Sequence, residues 1–432
     1  MFEEFRRMYG IYIFHRDLRI VDNKALERAC ELAKEKDCKI LPVFIFSPEQ
    51  VSDKNKYKSS NSIQFMINSL ISLDKALRDE ESRLICCYGE NDKVIGDFCK
   101  KGKVCFVVDG KDYTPFAKKR TLEYEKICKK NDILYECVGG DVYLTEPGSV
   151  LNKSGKMFQK FTPFYEKAKS MKVAEVSETC KGPYVSNRTV GGAGKTRKNV
   201  KFPNEIRLDS MKSRLIEGEN EKIAVQGGRE EGLELIGKIP TDYEKIHDVP
   251  SEQTSMLSAH HHFGTISIRE SYTAGKKKGL TAFVRQLYWR DFYGHIVDAF
   301  ETLYGVSPYD YQSDWSMSDE KKKIFEKWCK GETGVEMVDA GMKQLVQTGY
   351  MHNRVRLVTS NWLVKDMKIH WRAGEKFFAQ NLVDYDYSQN FGNWVWVASL
   401  LPFSQAPFRK VSAEGTEKKF DPEKKYIYTW LN

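Results

Sequence analysis

Five short apolar runs are spaced through the first 140 residues: IYIF (11–14), ILPVFIF (40–46), RLICCY (83–88), VCFVVD (104–109) and ILYECV (133–138). Between them lie stretches with helical hydrophobic spacing. Strands that alternate with helices and stay apolar throughout predict a parallel sheet covered on both faces, since a strand covered on one face alternates polar and apolar residues. The first turn reads HRDLRIVDN, and no run is followed by GxGxxG. The expected domain is Rossmann-like without the ordinary dinucleotide fingerprint.

At 432 residues the chain exceeds the usual single core, so two domains are expected. From about 150 to 240 it turns polar and irregular, around KGPYVSNRTVGGAGKTRKN (181–199), and after about 250 the spacing is helical to the end. All eight tryptophans, Trp289 to Trp430, lie in that last part. These shifts predict an α/β domain over 1–140, an interdomain linker over 141–240 and an all-helical domain over 241–432.

A formal net charge of +9 leans toward a polyanionic partner. The ten cysteines are scattered, with no CxxC and one adjacent pair, Cys86 and Cys87, a pattern of reduced buried thiols rather than a disulfide framework. No apolar run is long enough to span a bilayer, and MFEEFRRMYGIYIFHRDLRI has no apolar core behind a basic tip. A soluble, intracellular protein without membrane association is expected.

TVGGAGKT (189–196) nearly matches the phosphate loop GxxxxGK[ST]. Thr189 stands at the first glycine, no apolar strand precedes it, and Arg188, Arg197 and Lys198 flank it. It reads as a flexible basic linker.

In the helical part, FVRQLYWRDFYGHIVDAFETL (283–303) predicts a helix whose core stripe is Val284, Tyr288, Phe292, Ile296, Ala299 and Leu303. Gln286, Trp289, Arg290 and Tyr293 share a second face, suited either to stacking on a flat ring or to covering another helix. MHNRVRLVTSNWLVKDMKIHW (351–371) predicts another helix, with Val355, Val358, Trp362 and Ile369 periodic and Arg354 and Arg356 near its start. TSMLSAHHHFGTIS (254–267) sets hydroxyls where a helix can begin, an arrangement able to bind pyrophosphate. Neighbours such as His260, His261 and His262 point about 100° apart on a helix, so packing and polar contacts are expected of them and no metal site.

The residues now resemble a known family. RDLRIVDNKAL (16–26), YTPFAKKR (113–120), FTPFYEKAK (161–169), TSMLS (254–258), HFGTIS (262–267), QLYWRDFYGHI (286–296), DAGMKQLVQTGYMHNRVRLVTSNWLVKD (339–366) and DYDYSQNFGNWVW (384–396) resemble, in order and over nearly the whole chain, the photolyase/cryptochrome flavoproteins. The class I cyclobutane pyrimidine dimer DNA photolyases are most similar. The resemblance implies an α/β antenna domain, a linker and a helical FAD-binding domain. It implies a deoxyribodipyrimidine photo-lyase, a carbon-carbon lyase that acts on UV-damaged DNA as a monomer. In that reaction light drives an electron from reduced FAD to the dimer, and the electron returns after the dimer splits. A folate or a deazaflavin remains open as a second, antenna chromophore.

By position, the resemblance implies FAD contacts from Tyr243, Thr254, Ser255, Met256, Leu257, Ser258, Gln286, Arg290, Arg356, Asp384, Tyr385, Asp386 and Asn390, with Asn390 beside flavin N5 and Arg356 paired with Asp384. An amide beside N5 can donate or accept without adding a negative charge that opposes reduction. Trp394, Trp371 and Trp315 match the family's electron-transfer tryptophans. Gln286, Trp289, Arg290, Asn353, Arg354, Trp396 and Arg409 match contacts to the lesion and its backbone, with Trp289 and Trp396 as the flanking rings.

Three positions depart from the dimer-specific pattern: Gln286 for glutamate, Leu357 for methionine and His247 for arginine. A (6-4) photolyase is one alternative, but its two histidines correspond to Asn353 and Leu357, and its lesion demands proton transfer; His352 is the remaining candidate acid. A cryptochrome, a blue-light receptor without repair activity, is the other. The chain ends at YIYTWLN, where relatives usually continue for a few dozen residues, so a cofactor-dependent fold is expected.

Overall fold

The computed structural model describes residues 8–100, 103–186, 202–308, 310–312 and 314–432. The TVGGAGKT segment (189–196) lies outside the described residues.

Strands β1 (Tyr9–Phe14), β2 (Lys39–Phe46), β3 (Ile85–Tyr88), β4 (Val104–Gly110) and β5 (Leu134–Val138) pair in parallel in the order β3-β2-β1-β4-β5. Each falls on one of the five apolar runs. β1 and β2 bury every residue after the first, as continuous runs require of strands covered on both faces. Alternation along the strand sends Tyr12, Phe14, Phe44 and Phe46 into one hydrophobic cluster and Ile11, Ile13, Val43 and Ile45 into the other. Helices Lys24–Glu35, Ser60–Asp79, Asn91–Lys100 and Pro115–Lys130 make up these layers. Asn23 starts the first of them by accepting Leu26 N–H at 2.9 Å.

The stretch expected to be irregular holds short helices at Phe161–Ala168, Leu208–Leu215 and Arg229–Gly237. The remainder is helical around a third cluster. Its central helix, Thr281–Asp298, stops at Ala299, short of the expected 303, and Phe300–Tyr304 forms a separate helix. Val284, Tyr288, Phe292 and Ile296 are buried as expected. On the second face Tyr293 is buried, Trp289 and Arg290 are half-buried and Gln286 is exposed. The helix expected over 351–371 covers Asn353–Asn361, runs on as a π-helical turn over Trp362–Asp366, and is broken at Lys368, whose φ of 54° is left-handed. Ile369 is buried beyond that break, and Trp371 opens the next helix, Trp371–Asn381.

The HRDLR turn after β1 joins the two parts. Leu18 N–H donates to Phe263 O at 3.1 Å, Arg16 Nε to His262 O at 3.1 Å and Arg19 Nη1 to Gly264 O at 2.9 Å. Gly264 is left-handed (φ 64°), and a Cβ there would lie 2.0 Å from Arg16 O, so both the turn and the close approach need glycine. Deeper in the seam, Arg269 reaches Asp22 and Asp141 at 2.9 Å each, and Arg19 reaches Asp141 at 2.7 Å. These buried charges are paired on both sides, as desolvation demands.

Candidate functional site

The helix Tyr387–Ala398 carries the site. Asp386 caps it in an extended conformation, accepting Gln389 N–H at 3.2 Å. Asn390 and Trp394 follow at one-turn intervals and so share a face. Across from them the Asn353–Asn361 helix presents Asn353, Arg356, Leu357 and Ser360, again at helical spacing. Phe378, Leu382, Asp384 and Val397 complete the walls of a cavity that Asp386, Gln389 and Asn393 also line.

Arg356 Nη2 donates to both Asp384 oxygens, at 3.1 and 2.9 Å, and its Nε donates to Met351 O at 2.7 Å, so the guanidinium is fixed from two sides. Asp386 pairs with Arg16 and with His262, the latter at 3.4 Å. Burial works to raise the Asp386 pKa, but Arg16 and the His262 hydrogen bond outweigh it and hold this carboxyl well below the usual range. It stays ionised at neutral pH.

Asn390 Nδ2 donates to Glu375 O at 3.0 Å and to Glu375 Oε1 at 3.2 Å. Glu375 is fully buried. Burial pushes its carboxyl up to about 7, against the pull of Arg372, Asn390 and Tyr57. With its nitrogen committed to Glu375, Asn390 keeps its amide oxygen as the acceptor for the cavity. Neither Glu375 nor Arg16 stood out in the sequence. The repeated motif spacing reveals which residues share a helix face, whereas these two act across separate elements.

Trp394 lines the cavity and is buried; Trp371 is buried; Trp315 is half-buried. One helix touches all three positions: Trp371 opens Trp371–Asn381, a Cβ on Gly374 would lie 2.2 Å from Trp394 Cη2, and Lys376 Nζ sits 5.6 Å over the Trp315 ring.

Thr254 and Ser255 lie outside the cavity walls but are tied to them. Thr254 Oγ1 is 3.5 Å from Tyr350 OH, whose ring lies under Arg356, and Ser255 hydrogen-bonds Tyr243. Met256 is left-handed (φ 53°), Leu257 is buried, and Ser258 is exposed at the first position of the Ser258–Phe263 helix. The three histidines that follow make polar contacts, as expected: His260 with Thr265 at 2.8 Å, His261 with Ser271 at 2.7 Å, and His262 with Asp386. Tyr385 is half-buried between the two aspartates.

The residues matched to lesion contacts divide. Gln286, Asn353 and Arg409 are exposed, and Trp396 is half-buried. Trp289 stacks face to face on Phe161, with centroids 3.6 Å apart and planes at 8°, so one of its faces already covers a neighbouring helix. Arg290 donates to the main-chain oxygens of Val142 and of His261, the latter at 3.1 Å, while its own carbonyl accepts Gln389 Nε2 at 2.9 Å. Arg354 holds Asp248 through two bonds at 2.8 and 2.6 Å. Both arginines would have to release partners to meet a phosphate. His247 stacks on Tyr243 and lies 3.0 Å from Asp248. His352 is buried; its Nδ1 accepts Arg354 N–H at 3.2 Å, and burial pushes its pKa down to about 4.

In the α/β part, the sheet order reverses between β1 and β4, the switch point where open α/β sheets bind ligands. His15, Asp109 and Tyr135 are hydrogen-bonded there, at 3.2 and 2.9 Å. Buried Arg120 belongs to the same group, since it helps lower the His15 pKa after burial, and its Nε and one Nη have no partner among the described residues. Among the described residues no three His, Cys, Asp or Glu side chains gather as a metal site, and no helix is long and apolar enough to cross a membrane.

The cavity beside Asn390 has one aromatic and aliphatic wall, from Trp394, Phe378, Leu357, Leu382 and Val397, and one of amides and charges. That fits a flat heteroaromatic ring with polar edges, such as the ring of FAD. Comparison with known proteins agrees. Residues 10–181 match the model of DNA photolyase, and 283–432 match that of the FAD binding domain of DNA photolyase. The deoxyribodipyrimidine photo-lyase of Buchnera aphidicola is 30% identical, with 97% of this chain and 87% of that one covered. The archaeal photolyase from Sulfolobus tokodaii, solved with two FAD molecules, superimposes with a TM-score of 0.82 at 35% identity over 98% of this chain and 90% of that one. A cryptochrome from Synechocystis shares the fold at 21% identity, with a TM-score of 0.81 over 98% and 88% of the two chains. The chain belongs to the DNA photolyase family.

Proposed function

We propose that this protein repairs UV-damaged DNA by light-driven splitting of cyclobutane pyrimidine dimers, with FAD held between the Asn353–Asn361 and Tyr387–Ala398 helices. The orientation of Asn390 carries this reading. Glu375 takes its amide N–H, so a carbonyl oxygen is what it offers a bound ring, and an acceptor suits a ring nitrogen that bears hydrogen, as in reduced flavin. When bound, FAD supplies the absorption of visible light and a one-electron donor, which side chains lack.

The chain's own residues bind, orient and exclude water. Arg356 with Asp384, and Asp386 with Arg16, are fixed charges that need no rearrangement when a polar ring edge arrives. Thr254, Ser255 and Ser258, with the backbone of Met256 and Leu257, are assigned to the pyrophosphate, and Tyr243 positions Ser255. Trp394 and Trp371, both buried, and half-buried Trp315, all in touch with the Trp371–Asn381 helix, are assigned as the route by which surface donors deliver electrons.

Gln286, Trp289, Asn353, Trp396 and Arg409 are assigned to the lesion and its flanking strand, with Arg290 and Arg354 positioning their neighbours. Extruding two bases costs a few kcal/mol, less for a distorted lesion, and aromatic walls with cations offset the rest. A dimer is favoured over a (6-4) product because Asn353 and Leu357 at the cavity cannot donate a proton at neutral pH. His352 is a buried cap with its pKa near 4, so it is unprotonated there as well. We propose the same division into 1–140, 141–240 and 241–432, with the antenna pigment, folate or deazaflavin, assigned to the β1/β4 crevice.

The test is blue-light turnover of two oligonucleotides, one with a cyclobutane thymine dimer and one with a (6-4) product, by chemically reduced, FAD-loaded protein. Restoration of the dimer alone is expected. Restoration of the (6-4) product alone would overturn the lesion assignment, and failure with both, while the flavin still photoreduces, would favour a light receptor.

A further inference from the structure

Nine of the ten cysteines lie between residues 30 and 180, and two of these meet. Cys38 precedes β2, and Cys105 lies in β4, yet their Sγ atoms are 2.9 Å apart. The register explains how. Tyr9 pairs with Val104 and Gly10 with Phe106, so Cys105 is the extra residue of a bulge opposite the one strand position that has no side chain. Cys38 is buried, and Cys105 is half-buried.

We propose that Cys38 and Cys105 form a redox modification site, closing as a disulfide and leaving the other eight cysteines as thiols. A disulfide has an S–S length of about 2.05 Å, so the Cys38 and Cys105 sulfurs need approach by less than about 1 Å. The closure forms one S–S bond at the expense of one in a disulfide oxidant such as glutathione disulfide. The two thiol protons and two electrons leave as two oxidant thiols. The bridge would tie the start of β2 to β4 across β1. Such a non-local closure removes freedom from the unfolded chain.

The FAD-loaded full chain is equilibrated with glutathione disulfide, quenched in acid, denatured, alkylated with N-ethylmaleimide and weighed intact, with and without prior reduction. Eight adducts are expected before reduction and ten after it, because two of the ten thiols are paired. Peptide mapping should link 38 to 105, and reduction should lower Tm by about 5 °C. Any other adduct count before reduction, any other linkage, or an unchanged Tm overturns the proposal.

Discussion

Replacing Asn390 by aspartate sets a second carboxyl beside one that already holds its proton unusually well. The Asn390 amide nitrogen lies 3.2 Å from Glu375 Oε1, and an aspartate oxygen in its stead would face that oxygen directly. Two unit charges at that distance repel by about 5 kcal/mol at an effective dielectric constant of 20, or roughly 4 pKa units. Burial has already pushed Glu375 to about 7 with an amide donor beside it. The two carboxyls therefore cannot both ionise near neutrality and share one proton. The folded variant keeps that proton where the unfolded chain has lost it, so the stability it contributes is full below the ordinary carboxyl range and is lost as pH rises through the pair's upper pKa. The assay is the Tm of FAD-loaded wild type and Asn390→Asp at pH 5.5 and 8.5, with an infrared measurement of protonated carboxyl. The variant should lose more Tm across that interval and retain a protonated carboxyl at pH 8.5. It should also accumulate less fully reduced flavin in light at pH 8.5 than wild type. Equal Tm changes, with no protonated carboxyl at pH 8.5, would refute the buried Asn390–Glu375 pair. Unchanged photoreduction at both pH values would remove the account of Asn390.

Three further outcomes are expected. Trp394→Phe should abolish light-driven reduction from external donors but leave repair by chemically reduced protein intact; losing both would mean that the ring only packs. Gly374→Ala forces a methyl group to within 2.2 Å of the Trp394 ring and should destabilise the fold by about 1–3 kcal/mol; an unchanged urea midpoint would contradict the packing described. FAD-stripped protein should melt below the loaded form, since a ligand bound only to the native state stabilises it by mass action, and coincident melts would rule out a cofactor-dependent fold.

The sheet was legible because burial on both faces leaves an apolar run that no turn interrupts, and all five runs became strands. The order of the strands was not, since register and neighbours depend on contacts far apart in sequence. Periodicity found Val355, Val358 and Trp362 on one helix but carried it on to Ile369, because a left-handed Lys368 has no signature in the hydrophobic pattern. Polar composition hid the Leu208–Leu215 and Arg229–Gly237 helices. Within the site, Asn390, Trp394, Arg356 and Asp384 were recognisable because helical spacing and motif order place them together. Arg16 was not, since its partner Asp386 is 370 positions away. Glu375 escaped notice because an acid gives no local sign of being buried. The Cys38–Cys105 pair, 67 positions apart, was hidden for the reason that hid Arg16.

The most direct test of the central claim is the yield of restored thymine from a cyclobutane-dimer oligonucleotide, measured with chemically reduced, FAD-loaded protein under blue light and in the dark, beside FAD-stripped protein. Restoration that requires both light and FAD is predicted. Restoration in the dark, or equal restoration without FAD, would contradict the account, and so would none under any condition.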